Sequence, residues 1–427
     1  MTPNVIFRTG EALISRAPSA EDVEWFGWRS SPDSRGTLDI VWSCLLALNL
    51  CLYTMLHLNV PAPSDKFLTI CWRKLRWACL GLLAPELPML FACGQWASAV
   101  RSVHRMHDLG YPQWSLEHGF FADMGGFVVH PLDAPAMPIS ALQLHYLVKH
   151  GFIQFPLISR AEIRDKSKAD SISKVFTGVQ TGWLVVQVIG RAIQRIDISP
   201  LEFATICICG CSYCTLWFWR RKPLDVAVPV PIAMNHTVAK VMRHAGHDGT
   251  KTFTDTPLDF IEPEAYMSRK WSRHVHGWIE AAGLQSTPIQ RIPDDRDPQP
   301  SNLRTHVWLG IGTASFASIH FAAWNFQFPS DWERDLWRYN CCVMWGLLAV
   351  YGTAEVVVCW KEGYRNLGLD TLGAYKRRFP DCLWFFVPAA LYIATRLIII
   401  FESLWSLRQL PSGVFQTVEW AEFIPHI

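Results

Sequence analysis

About seven apolar runs, each near the ~20 residues that a helix needs to cross a bilayer, constrain this chain more than any other feature. They cover residues 37–58, 75–100, 175–192, 200–219, 305–326, 337–360 and 382–404. In hydrocarbon every backbone N–H and C=O must find its partner inside the segment, so such runs fold as helices. The spacing predicts an all-α fold, a polytopic transmembrane bundle of about seven spans, embedded in a lipid bilayer. Prolines punctuate it. Pro61 and Pro63 close the first run, while Pro85 and Pro88 interrupt the second and free backbone carbonyls there.

Between the spans lie an N-terminal segment (1–36), a long loop over 101–174, a second over 220–304 and a tail over 405–427, leaving spans at 37–100, 175–219 and 305–404. Residues 159–170 read as a charged helix running into the third span, with Glu162 and Lys166 one turn apart. Trp271 and Trp278 look like anchors of the second loop. An odd span count puts the N-terminus and both long loops on one side. Their Lys and Arg make that side cytoplasmic.

Only 18% of the 427 residues are charged and the net charge is +2, which gives no basic face for nucleic acid. The thirteen cysteines sit in or beside the apolar runs, unlike an extracellular disulfide framework. Cys207, Cys209, Cys211 and Cys214 cluster in one span, but one helix face cannot close a tetrahedral metal site.

Ionisable residues at membrane depth mark candidate chemistry. Glu86 stands between Pro85 and Pro88, where a desolvated carboxyl can donate a proton. The alternative is a structural kink whose Glu bonds a neighbouring helix. Residues 114–127, WSLEHGFFADMGGF, set Glu117, His118 and Asp123 among four large aromatic rings. That composition suits a re-entrant or interfacial segment able to donate a proton and hold a cation against π-faces. Equally, it suits an amphipathic surface segment with solvated charges. His320, Glu355, Arg396 and Glu402 read as interhelical partners. Phosphate-loop, dinucleotide, GxSxG and HExxH patterns are absent, as is an Asp-rich cluster suited to Mg²⁺ on a diphosphate. Neither a cofactor nor a metal is expected.

The strings WFGWRSSPDSRGTLDIVWSC (25–44), WSLEHGFFADMGGF (114–127), ISRAEIRDKSKAD (158–170), WRRKPLDV (219–226) and GVFQTVEWAEFIPHI (413–427) resemble a group of filamentous-fungal multi-pass membrane proteins. That group is similar in turn to the membrane-bound terpene cyclases of meroterpenoid biosynthesis. The resemblance implies an endoplasmic-reticulum enzyme of secondary metabolism that closes a prenyl or epoxy-prenyl chain by protonation, with a lipophilic isoprenoid as substrate. Glu86, Glu117 and Asp123 are then the candidate acids, with His118 orienting or relaying. The competing expectation is a non-enzymatic membrane protein acting as a receptor, transporter or scaffold.

Overall fold

The structure is a computed structural model that describes residues 24–31, 35–167, 171–247, 253, 256–261, 288–295, 303–362 and 379–420. Along the chain it runs β1 (Trp25–Phe26), α1 (Thr37–Thr54), α2 (Phe67–Leu83), α3 (Glu86–Asp108) and α4 (Leu116–Asp123). Then come β2 (Phe127–His130), β3 (Met137–Ile139), α5 (Ala141–Lys149), α6 (Arg160–Asp165), α7 (Ser171–Ile193) and α8 (Pro200–Trp219). The remainder is β4 (Val230–Ala233), α9 (Val238–His244), α10 (Leu303–Ile319), α11 (Asp331–Glu362), α12 (Phe379–Trp405) and β5 (Leu410–Pro411). Trp271, Trp278 and the side chain of Glu355 lie outside the described residues.

Helix starts follow local chemistry. Ser199 precedes Pro200, and its hydroxyl accepts from the Glu202 amide while Glu202 accepts from the Ser199 amide. Ser140 with Gln143 and Ser159 with Glu162 repeat that reciprocal box at α5 and α6.

Among the described residues three helical stretches are long and apolar enough to cross a membrane: α1, α8 and Val387–Arg408. Only 33% of the α1 stretch is buried. An apolar helix so exposed, with Trp42 and Leu45 facing outward, has the length and composition to sit in a membrane.

The count of about seven spans is corrected here. The expected second span is two helices, α2 and α3, bent by 110° at the Ala84–Pro85 break. Proline lacks the amide that would continue α2, and two prolines turn a kink into a break. Among the described residues, counting that pair as one span gives four at most by length and composition. Moreover, β1 pairs antiparallel with β5, Trp25 opposite Pro411. Both ends of the bundle therefore meet on one side, which no odd number of crossings allows.

A second correction concerns the loops. They fold together as an α+β subdomain rather than an all-helical chain with separate loops. Its sheet has the order β3-β2-β4, with β2 antiparallel to β3 (Phe127 opposite Ile139) and parallel to β4 (Phe127 opposite Val230). Trp114, Phe121, Phe127, Met137, Leu144 and Val241 fill its core. The aromatic rings of the 114–127 segment therefore face protein rather than solvent. They are spent on a protein core, with Phe121 edge-on to Phe127 at 5.0 Å between centroids.

Candidate functional site

Glu86 begins α3 immediately after the break. A carboxylate suits the positive end of a helix, and the side chain is 3% exposed. Its Oε2 has no hydrogen-bond partner among the described residues. The Tyr392 hydroxyl and the Arg396 guanidinium, from α12, face the carboxyl. Arg396 is itself tied down. It donates through Nε to the Leu83 carbonyl at 3.2 Å and through Nη1 to His320 Nε2 at 2.9 Å. The first contact supplies a donor to a carbonyl released by the break, and a cation at a helix C-terminus is favourable. The second fixes a tautomer. His320 Nε2 accepts, so Nδ1 carries the proton and donates to the Phe316 carbonyl at 3.2 Å. Phe316 also lies under the Arg396 guanidinium, 5.2 Å from its ring centre. Phe203, Cys207, Cys211, Trp337 and Cys341 pack in the same core.

The 114–127 segment carries a different arrangement. Glu117 is buried, and its Oε1 receives Arg160 at 2.7 Å, Arg221 at 3.1 Å and Arg164 at 3.2 Å. The Ser115 hydroxyl donates to Oε2 at 3.0 Å. Burial alone would raise this carboxyl, but its amide, Ser115 and Arg160 outweigh burial and hold it below the ordinary value. Glu117 is therefore an anion at neutral pH and not a proton donor, which corrects that expectation. His118 accepts the Ser115 amide on Nδ1 at 3.1 Å and donates through Nε2 to the Ile158 carbonyl at 2.9 Å. Burial lowers its pKa against the opposing pull of that carbonyl and Glu117. It is a neutral strut between α4 and the chain before α6. Asp123 Oδ1 accepts the Ala141 amide at 3.1 Å, at the start of α5.

The two groups do not share a pocket. Gly119 of α4 rests on α3 at Ala99, where an added Cβ would come within 2.9 Å of the Ala99 carbonyl. Ala99 is thirteen residues along α3 from Glu86, about 20 Å at 1.5 Å per residue.

The model of a family of unknown function, DUF8562, matches residues 9–246 and 301–427. The chain belongs to that family. No curated protein and no solved structure matches it. Glu86, His320, Tyr392 and Arg396 all fall within the DUF8562 match, and so do Glu117 and its three arginines. Asp294, which binds Arg73 through both oxygens at 2.6 and 2.9 Å, falls in the gap between the matched ranges.

Two features of this DUF8562 protein escape a linear reading of its sequence. Tyr392 stands one helical turn before Arg396, and that i,i+4 spacing in an apolar span is the signal that could have marked it. Lys222, just past α8, is fully buried. Its Nζ donates to the His57 carbonyl at 2.6 Å, to Gln95 Oε1 at 2.9 Å and to Asn59 Oδ1 at 3.4 Å, above the Trp219 ring. Nothing local distinguishes it from Arg220 and Arg221 beside it. Among the described residues, the α8 cysteines included, no group of three His, Cys, Asp or Glu side chains is placed to hold a metal.

Proposed function

We propose that this membrane protein is a protonation-initiated cyclase of a lipophilic isoprenoid, with Glu86 as its acid. The observation that carries the reading is the unpartnered Glu86 Oε2 in a buried, aromatic-rich core beside Tyr392 and Arg396. A proton on that oxygen passes to an epoxide oxygen or an alkene carbon. The resulting cation draws its electrons from the next double bond of the chain, and loss of a proton from carbon ends the cascade. Phe203, Phe316 and Trp337 offer π-faces to the cation, and the apolar core excludes water.

Replacing Glu86 with Gln in cells that make the prenylated precursor tests this. Product should fall by about a hundredfold or more while the uncyclised precursor accumulates and the membrane level of the protein holds. Undiminished product from the Glu86→Gln protein would sink the proposal.

One observation favours the non-enzymatic reading. Two shallow depressions among the described residues lie elsewhere, one beside Tyr213, Leu216, Trp217 and Arg220 and the other beside Phe26, Gln194 and Phe415. Neither reaches Glu86. On that reading the Glu86–Arg396–His320 group is a staple across a broken helix, and the metabolite profile is unchanged by deletion.

For the membrane topology we infer an even number of crossings, with α1 and α8 among them. Lys222 joins the ends of α8 and α1, and Ser167 before α7 bonds Leu224 after α8. At the other end Arg35 binds Glu202 and Arg408 binds Glu333. An even count matches the β1–β5 pairing. Reporter tags at residues 28 and 418 should be modified from the same side of the endoplasmic-reticulum membrane, and opposite-side modification would refute it.

A further inference from the structure

Glu117 and its arginines take no part in the chemistry at Glu86. Three guanidinium groups converge on a single carboxylate oxygen, so the cluster holds an excess of positive charge. Glu117 is 5% exposed, whereas Arg160, Arg164 and Arg221 are 44%, 57% and 43% exposed. Each guanidinium has five N–H groups. Arg160 spends Nε and Nη2 on Glu117, and Arg164 and Arg221 spend one nitrogen each. Donors therefore remain on every arginine, directed outward from a buried anion that fixes the three in place. The neighbouring acids do not cancel the excess. Glu162, in the same first turn of α6 as Arg160, is engaged by the Ser159 amide, and Asp165 lies exposed at the last turn.

Position supplies the second argument. The apolar stretch of α8 ends at Trp219, so Arg220 and Arg221 stand where hydrocarbon gives way to headgroups. Arg220 lies over the Trp217 ring at 4.5 Å. A shallow, open depression lies against Tyr213, Leu216, Trp217 and Arg220. Aromatic side chains at headgroup level and basic clusters at a cytoplasmic membrane face are the chemistry that holds anionic lipids.

We propose that Arg160, Arg164 and Arg221 bind the phosphate of an anionic phospholipid headgroup, with an acyl chain in the Tyr213–Leu216–Trp217 depression. Glu117 is the positioning residue that splays the three arginines toward the bilayer surface. The site is independent of the chemistry proposed at Glu86.

The test uses the full-length protein in nanodiscs of phosphatidylcholine with an equal share of phosphatidylserine or phosphatidylinositol, reading retained lipids by native mass spectrometry. Wild type should retain the anionic lipid in preference. Arg164→Gln, which leaves Glu117 two arginines and the fold intact, should weaken that preference about fivefold, the worth of one arginine at a charged surface. Glu117→Gln, which removes the anion that holds the three arginines in place, should weaken it as well. Equal retention of phosphatidylcholine, or an Arg164→Gln protein that retains lipid like wild type, would overturn the proposal. A thermal shift with inorganic pyrophosphate in pure phosphatidylcholine discs, without any lipid preference, would overturn it too and assign the site to a free phosphate.

Discussion

Replacing Lys222 with Met should change how stability depends on pH as well as stability itself. Burial drives this amine down from 10.5 to about 7, against the pull of Asp294 and Asp123. Three acceptors around Nζ and the Trp219 face beneath it match an ammonium, so the charged form is present at neutral pH despite that cost. The sign follows from linkage. The unfolded chain holds its Lys222 proton up to pH 10.5 and the folded chain only to about 7. Between those values the unfolded state binds more protons, and folded stability rises with pH. Below about 7 both states are protonated and this contribution is flat. At about 1.4 kcal/mol for each tenfold in proton affinity, the whole span is on the order of 5 kcal/mol, an upper bound. Between pH 7 and 9 it is at most about 2–3 kcal/mol. Lys222→Met removes this slope and leaves the His57 carbonyl and Asn59 Oδ1 without their donor, a loss of about 1–3 kcal/mol for each unsatisfied group at pH 7. The assay is thermal unfolding of both proteins in detergent at pH 6, 7, 8 and 9. Wild type should gain on the variant above pH 7. A difference that stays constant from pH 6 to 9 would refute the reasoning, because it would mean that Lys222 does not change protonation on folding in that window.

Gly126 lies so near Phe121 that a Cβ there would sit 2.5 Å from both the ring and the Phe121 carbonyl. Gly126→Ala should therefore destabilise the subdomain by about 1–3 kcal/mol or more, read as a lowered melting temperature, and an unchanged one would contradict the packing. Arg73 holds Asp294 through both oxygens and the Asn59 carbonyl at 2.9 Å. Arg73→Ala should release residues 288–295, so that limited proteolysis cuts there faster than in wild type; equal cleavage rates would count against this anchor.

Helical content was legible because the 3.6-residue pattern and apolar length are local properties. Crossing number was not. Whether Pro85 and Pro88 kink a helix or break it depends on what receives the freed carbonyls. Here Arg396, more than three hundred residues away in sequence, donates to Leu83. Aromatic density at 114–127 stood out in the sequence, but not that its rings pack into a protein core. Composition cannot separate rings that meet lipid from rings that meet the Phe127–Ile139 strand pair. Glu117 looked like an acid because its three cations come from α6 and from the end of α8, and only folding brings them together. Glu86 stood out as a carboxyl between two prolines in an apolar run, but that Tyr392 and Arg396 face it did not. A lone Tyr in an apolar span is ordinary.

The arrangement around α3 suggests why the buried polar groups fall into two tiers. A broken helix in lipid is tolerable only when its loose carbonyls and its first carboxyl are held by rigid neighbours. Near the membrane surface, Lys222, Asn59, Gln95, Arg73 and Asp294 bind the end of α1, the start of α2, the middle of α3 and the exit of α8 into one collar. Trp219 closes it by donating to Gln95 at 3.0 Å. With those ends fixed, α2 and α3 cannot straighten past Pro85, and Leu83 and Glu86 stay opposite Arg396. An acid with one unpartnered oxygen would relax toward a partner in a pliable helix. It persists here because the collar, nine residues up α3 at Gln95, leaves the chain no room to turn it away. On this view the collar is the condition for any chemistry at Glu86, and its residues govern that site without touching it.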